Sequence, residues 1–569
     1  QTCALPIYHG RALFQSDRLH ESASAFDKAI AVRPDCAELY NDRGVVCRFT
    51  DQISLSVALF SRAAQLDPRS SVSLANYGSA LLETEQSELA VPRLLQTVSL
   101  DPSCHQALGG LGMAYGKTLE HERALEFFDK AAVLAPEAVE SHNNLSGCLN
   151  DLGRHQESLS SSARALAIRP DHTESLNNRA LSYRGMVNPE SGLPWATRAI
   201  TSNPLFWKAV NTRAVLLFEA RRFDEAATGY QRTLQLMPSF AEAHWNKGLM
   251  SLLLGNYVDG WREYQWRLKI KDARQFHQWA NMIDDSRVPV SAESMTGKTV
   301  LIFHEQGLGD TIQFCRYLRL ASSRGLRVVS SIPTSLLRLL RGQGDFGELI
   351  ASACPMPSYD LHCPMMSLPL AFGTTLETIP FGREAYLRAL PEDVERWRER
   401  LGVRSRPRVG LVWNGGFRAD QPELWAVNER RNVPLELFAQ ALDIEGIDFV
   451  SLQKGDPAES EIRGREGEYW KRGRLYNYTS ELSDFADTAG LIANLDLVIS
   501  VDTSTAHLSA AMGKPTWILN RYDTCWRWLL DREDSPWYPA VRLYRQSAYK
   551  DWATVLDRVN NDLRQWVQA

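Results

Sequence analysis

No stretch of about 18 consecutive apolar residues occurs in this chain of 569 residues, so the sequence predicts no helix that spans a bilayer. A basic segment followed by a short apolar run is also missing at the start, and no secretion leader is expected. Charge of one sign is scarce: 63 Lys and Arg face 68 Asp and Glu, a net −5 that gives no general drive toward nucleic acid or anionic lipid. Nine cysteines (3, 36, 47, 104, 148, 315, 354, 363 and 525) include no CxxC pair, which argues against a zinc ribbon or a dithiol redox motif. Several fall inside apolar helical patterns, where buried free thiols in a reducing cytoplasm are the expectation. The glycine-containing loop at residues 305–310 is not GxGxxG and no Walker lysine follows it, so neither dinucleotide binding nor a P-loop is indicated there.

What is present is a period. Prolines fall at Pro34, Pro68, Pro102, Pro136, Pro170, Pro204 and Pro238, always 34 residues apart. Such a period marks stacked helix–turn–helix units. Proline lacks the backbone donor and disfavours the helical conformation just before it, so each second helix is broken at the same place. His105–Ala138 carries the pattern most fully: Leu108, Gly112 and Tyr115 on the first helix, Ala124, Phe128 and Ala131 on the second. The repeats resemble tetratricopeptide repeats (TPRs) over residues 1–274, seven to eight units, with an eighth, degenerate one after Pro238. An α-solenoid of this kind, a TPR superhelix, carries a concave groove, which the resemblance makes a protein- or peptide-binding surface. Asn76, Asn144, Asn178 and Asn246 recur at one helix position, beside Asn41, Asn143, Asn177 and Asn211. An amide offers both donor and acceptor, so such a row can clamp an extended peptide backbone; it can equally tie one repeat to the next. Gly260–Arg267 (GWREYQWR) then offers Trp261, Tyr264 and Trp266 as a cover for the last repeat and a joint to the next domain. Residues 275–297 show no periodicity and read as a linker.

From Lys298 the pattern becomes α/β. Short apolar runs at 299–304, 327–332 and 360–364, and again at 408–413, 448–452, 497–500 and 515–519, alternate with amphipathic helices. Two Rossmann-like lobes are expected, 298–395 and 396–569, with ligands at the carboxyl ends of their strands. The first strand runs into Glu305, Gln306, Gly307, Leu308, Gly309 and Asp310, a tight loop that opens a helix and that Asp310 could cap. In the second lobe, Asp502, Thr503, Ser504, Thr505 and His507 follow a strand and open another helix, a seat for a diphosphate, although His507 also suits a cap or a core.

These two loops, with Gly513-Lys-Pro after them, resemble GT-B glycosyltransferases of the heptosyltransferase type. The Asn row resembles that of O-GlcNAc transferases, and the whole chain is similar to bacterial fusions of TPRs with a glycosyltransferase, among them flagellin glycosyltransferases. The resemblance implies Asp310 as the catalytic base and Asp502, Thr503, Ser504, Thr505 and His507 as donor-binding residues. Ser504 stands where that family usually has glycine. A lysine usual after the first strand of the second lobe is replaced by Arg430 and Arg431; Lys454, Asn414 and Gly415 complete the donor side, and Glu305, Gln306, Gly307 and Gly309 the acceptor side.

No DxD motif of the metal-holding kind is present. The expectation is therefore a cytoplasmic, metal-independent, inverting glycosyltransferase with no cofactor and a nucleotide sugar as co-substrate. Its acceptor would be a protein, such as flagellin, held by the repeats; nucleic acid is not an expected partner. Two rivals stay open: a lipopolysaccharide or polysaccharide glycosyltransferase, and a non-catalytic TPR scaffold.

Overall fold

A computed structural model describes residues 4–270, 291, 293–352, 354–355, 357–416 and 425–568. Cys3, the end of the predicted array at 271–274 and most of the predicted linker 275–297 lie outside the described residues. The chain divides into two compact units, Gln1–Pro238 and Ser239–Ala569.

Among its described residues the first unit consists of seven antiparallel helix pairs, from Ala4–Gln15 with Leu19–Val32 to Trp207–Glu219 with Phe223–Leu236. Each second helix stops two residues before one of the periodic prolines, as at Leu66, Leu100 and Leu134. Within three of the pairs, contact depends on one missing side chain. A Cβ at Gly44 or Gly112 would stand 2.6 Å from the ring of Phe60 or Phe128, and one at Gly10 2.7 Å from Phe26. The aromatic ring of the second helix occupies the space that glycine leaves on the first.

A second 34-residue period lies in the backbone. Asp17, Asp51, Glu85, Leu119, Gly153, Val187 and Arg221 close the first helix of successive pairs, all in the left-handed region with φ between 57° and 73°. Helices commonly end this way because it satisfies their last carbonyls. For a residue with a Cβ the conformation costs about 1–2 kcal/mol. Gly153 is the one position of the seven at which glycine removes that cost. A Cβ there would meet nothing within 4 Å, so Gly153→Ala should lower stability by about 1 kcal/mol through the backbone alone. Glu85 is exposed at φ 60°, and Glu85→Gly should shift stability the other way by a similar or smaller amount. Urea midpoints of the two variants, moving in opposite directions, check this.

The second unit begins with an eighth helix pair, Ala241–Leu253 and Tyr257–Tyr264. Two parallel sheets come after it. The first holds β1 (Thr299–Phe303), β2 (Arg327–Ile332), β3 (Glu348–Ala351) and β4 (Leu361–Pro364), ordered β3-β2-β1-β4. The second holds β5 (Arg408–Val412), β6 (Asp448–Ser451), β7 (Arg474–Asn477), β8 (Leu497–Val501), β9 (Thr516–Asn520) and β10 (Val541–Arg545), ordered β10-β9-β8-β5-β6-β7. Leu301 of β1 is in register with Val329 and His362, and Gly410 of β5 with Val450 and Val498. The central strands are buried along their length because helices cover both faces: Val409, Leu411, Phe449, Ile499 and Leu519 sit in one core with Phe438 and the C-terminal helix residues Val555 and Leu556. The helix Pro391–Leu401 crosses the boundary expected between the lobes.

The sequence places the eighth pair with the array; in the structure it belongs to the sheet-containing unit, for a physical reason. Tyr257, Trp261 and Tyr264 are fully buried. Trp261 stands edge-on to Trp526 at 5.2 Å and to Phe314 at 6.4 Å, and its indole N–H donates to the Thr374 carbonyl at 3.0 Å. Tyr257 accepts from the Trp537 indole at 2.9 Å. Aromatic pairs of this kind contribute about 0.5–1.5 kcal/mol each beyond their buried area. Trp266, in the turn Gln265–Lys269, stacks on His244 of the eighth pair, centroids 3.9 Å apart, and so covers that repeat.

Candidate functional site

In each sheet the strand order reverses beside its first strand, between β1 and β4 and between β5 and β8. Loops diverge at such a switch point and leave a crevice at the carboxyl ends of the strands. A cavity of about 660 Å³ lies there, lined by the loops after β1, β5, β6 and β8.

On the second-sheet side the helix Ser504–Ala511 presents its first turn to the cavity, with Thr503 as its cap: the Ala506 N–H donates to Thr503 Oγ1 at 3.4 Å. Asp502, Thr503, Ser504, Thr505 and His507 all line the space. The unsatisfied N–H groups of such a terminus favour an anion. Beside it, Arg431 donates to the Asp502 carbonyl at 2.9 Å and to Asn428 Oδ1. Its guanidinium occupies the space a side chain at residue 415 would fill; a Cβ on Gly415 would stand 2.1 Å from it. The Gly415 N–H donates to Asn432 Oδ1 at 2.8 Å, and the Asn414 N–H to Gln453 Oε1 at 2.9 Å, so the β5 loop is laced to both neighbours. Lys454 lines the cavity with its side chain half exposed, its ammonium donating to the Thr479 carbonyl at 2.7 Å and 3.4 Å from Glu459.

On the first-sheet side Gln306, Gly307, Leu308, Gly309 and Asp310 line the cavity. Asp310 accepts from the Gly307 N–H at 2.9 Å, capping its own helix, and its other oxygen meets the guanidinium of Arg527. Arg527 also donates to Gln313 Oε1 at 2.7 Å. Burial alone would lower the Arg527 pKa, but Asp310, Cys525 and Tyr264 together outweigh it and hold the group protonated. The two loops meet at Gly309, where a Cβ would stand 2.9 Å from the His507 ring. His507 Nδ1 lies 2.7 Å from the Tyr538 hydroxyl, its Nε2 3.6 Å from Asp502, and its ring stacks on Trp528 at 5.3 Å.

Other predicted residues lie elsewhere. Arg430 points away from the cavity into an ion pair with Asp523 at 3.1 Å; adjacent residues on a helix cannot share a face, and Arg431 takes the inner one. Glu305 is buried behind the loop, paired with Arg267 at 2.6 and 2.9 Å. In the repeats Asn76 donates to Asn41 Oδ1 at 2.9 Å, and Asn178 to Asn143 Oδ1 at 3.0 Å, so these two side chains tie a repeat to its predecessor. Asn144 and Asn246 are half-buried. Sequence reasoning missed Arg527, which lies between Trp526 and Trp528, and Gln453, which precedes Lys454. Among the described residues no group of three or more His, Cys, Asp or Glu converges as a metal site, and no helix is long and apolar enough to cross a membrane.

A family model for the tetratricopeptide repeat matches residues 9–71, 78–138 and 211–261. The chain contains tetratricopeptide repeats. Protein FlbA of Caulobacter vibrioides (strain ATCC 19089 / CIP 103742 / CB 15) is 27% identical over 348 residues, 56% of this chain and 54% of that protein. The chain thus spans about half the length of the curated relative it matches. Among solved structures, YrrB, a TPR protein with an unusual peptide-binding site, is 22% identical, with a TM-score of 0.28 over 33% of this chain and 97% of its own. A tetratricopeptide repeat protein from Parabacteroides merdae ATCC 43184 is 15% identical, with a TM-score of 0.38 over 44% of this chain and 99% of its own.

The site makes a prediction about acid stability. Burial would raise the Asp502 carboxyl, but His507 and the Arg431 charge outweigh it and hold the group well below the usual carboxylate range. A depressed pKa adds stability that is complete above the unfolded value of about 4 and fades as pH falls below it. Asp502→Asn should therefore be less stable than the wild type from about pH 7 to pH 5, with the gap narrowing below about pH 4. Urea midpoints across that range decide; a gap constant to about pH 3 would contradict the assignment.

Proposed function

We propose that the second unit is a GT-B glycosyltransferase that moves a sugar from a nucleoside-diphosphate sugar to a hydroxyl group of a protein held by the repeats. One observation carries the reading: a carboxylate, Asp310, lines the same cavity as Arg431, Lys454, His507 and the first turn of the helix Ser504–Ala511. The volume suits such a ligand, since small-molecule sites run to about 300–1,000 Å³. Asp310 is the base. It takes the proton of the acceptor hydroxyl, whose oxygen bonds to the anomeric carbon as the bond from that carbon to the diphosphate oxygen breaks, with inversion. The charge that develops on the leaving diphosphate meets Arg431, Lys454 and the helix terminus, which are fixed in advance and need no reorganisation. Both Asp310 oxygens already accept one hydrogen bond each, and a carboxylate has lone pairs left for a third partner.

Two variants test this by titration with UDP, GDP, ADP and CDP and by release of the diphosphate from their sugars. One of these nucleotides should bind. Arg431→Met should weaken it by about 10- to 100-fold, the loss of charged hydrogen bonds. Asp310→Asn should leave affinity within about twofold and cut turnover by about 10²- to 10⁴-fold. Equal turnover in Asp310→Asn removes Asp310 as the base. Absence of binding by every nucleotide leaves the scaffold reading.

A further inference from the structure

The loop carrying Asp310 leaves β1 in a conformation its sequence does not favour. Gln306 has φ 60°, and a left-handed residue with a Cβ persists where its surroundings hold it. The holding groups lie behind the cavity, on one short segment. Glu305 is buried, with its carboxylate taken by Arg267 and by the Met366 N–H at 2.9 Å. Gln306 donates from its side-chain amide to the Tyr264 hydroxyl at 3.0 Å, and that hydroxyl points its own proton at the Met366 sulfur, 3.9 Å away. Burial pushes the Tyr264 phenol up to about 12, so it stays a neutral acceptor for Gln306. From the other side, the Arg527 that meets Asp310 lies over the Trp526 ring at 4.4 Å, and Trp526 stands edge-on to Trp261 at 5.2 Å and Tyr264 at 6.3 Å. Trp261, Tyr264 and Arg267 belong to the second helix of the eighth pair and the turn Gln265–Lys269 after it.

We infer that Tyr264 and Arg267 are positioning residues for Asp310: the eighth helix pair holds the loop from Glu305 to Asp310 in its strained form. Arg267 does so through Glu305, Tyr264 through Gln306, and Trp261 with Tyr264 through Trp526 and Arg527. The inference rests on the proposed role of Asp310. It makes the eighth pair a structural part of the reaction centre, where a spacer between repeats and sheets would have no reason to reach residues 305 and 306.

Tyr264→Phe in the full chain tests it, because this removes one oxygen and keeps every ring contact. Hydrogen exchange of the peptide spanning residues 304–312 should quicken by about fivefold or more, the signature of local opening. With UDP-N-acetylglucosamine, GDP-mannose and ADP-glucose as probes and water as acceptor, kcat for diphosphate release should fall by about 10- to 100-fold while KM stays within about twofold. Gln306→Met removes the same hydrogen bond from the loop side, and the double variant should add little to either single one. Unchanged exchange in Tyr264→Phe overturns the inference, and so does faster exchange with unchanged kcat. If the wild type releases no diphosphate from any probe, the transferase reading has failed, and the exchange comparison alone decides whether Tyr264 sets the loop.

Discussion

A guanidinium cut off from water must be neutralised where it sits, and much of the second unit is arranged around that requirement at Arg267. Its side chain has no solvent exposure. Glu305 accepts from its Nε and Nη2, Ser367 Oγ also from Nη2 at 2.9 Å and the Tyr264 carbonyl from Nη1 at 3.1 Å, so its donors are largely met. Burying two charges costs several kcal/mol before their attraction is counted, and removing either partner alone strands the other at a cost of about 3–5 kcal/mol. An isolated apolar joint would tolerate sliding. This pair does not, because Glu305 is the second residue past β1 and Arg267 the third past the eighth helix pair. The ion pair fixes the register between them, and the aromatic contacts of Trp261 and Tyr257 fill the space on either side.

The same constraint explains why the sequence was legible up to Pro238 and ambiguous just beyond it. Proline spacing reports where helices stop, and its last mark, Pro238, bounds the eighth pair only at its start. It carries no information about what the pair is packed against. That depends on Trp526, Trp537 and Phe314, far away in the chain, and on one glutamate that sequence reasoning assigned to the acceptor side. Strand detection failed in an equally physical pattern. The seven strands visible in the sequence include β1, β5, β8 and β9, whose residues are nearly all buried. The three missed, β3, β7 and β10, are each an edge of a sheet. Edge strands are covered less completely, and Glu348 and Arg474 open β3 and β7 exposed. A continuous apolar run is the mark of a strand buried on both faces, and these strands have no such burial to encode.

For the site, motif spacing brought out the loops after β1 and β8 and the glycines that let them approach each other. It could not choose between Arg430 and Arg431. Their neighbours in sequence are the same, and the choice depends on Gly415, whose missing side chain leaves room for one guanidinium and not the other. Nor could it reveal Arg527, 217 residues from Asp310, since an arginine between tryptophans reads as part of a core edge. Charges in this cleft are identified by their partners, and their partners are set by the crossing of two sheets.

What remains open to a ligand is then a matter of which hydrogen-bonding capacity the protein has left unspent. Arg431 is anchored by the Asp502 carbonyl and Asn428, which orient its plane in the cavity wall. Lys454 is held by the Thr479 carbonyl and Glu459 with its side chain half exposed, which sets its ammonium at the cavity wall. Asp310 is held on both oxygens, which fixes the orientation of its carboxylate. For the proposed transfer, in which a base must sit beside the acceptor hydroxyl, orientation has the larger effect: effective molarities for aligned groups correspond to about 7–11 kcal/mol, against the few contributed by proton transfer itself. The strained turn at Gln306, the buried ion pair behind it and the arginine across the cleft are all consistent with a site organised for alignment first.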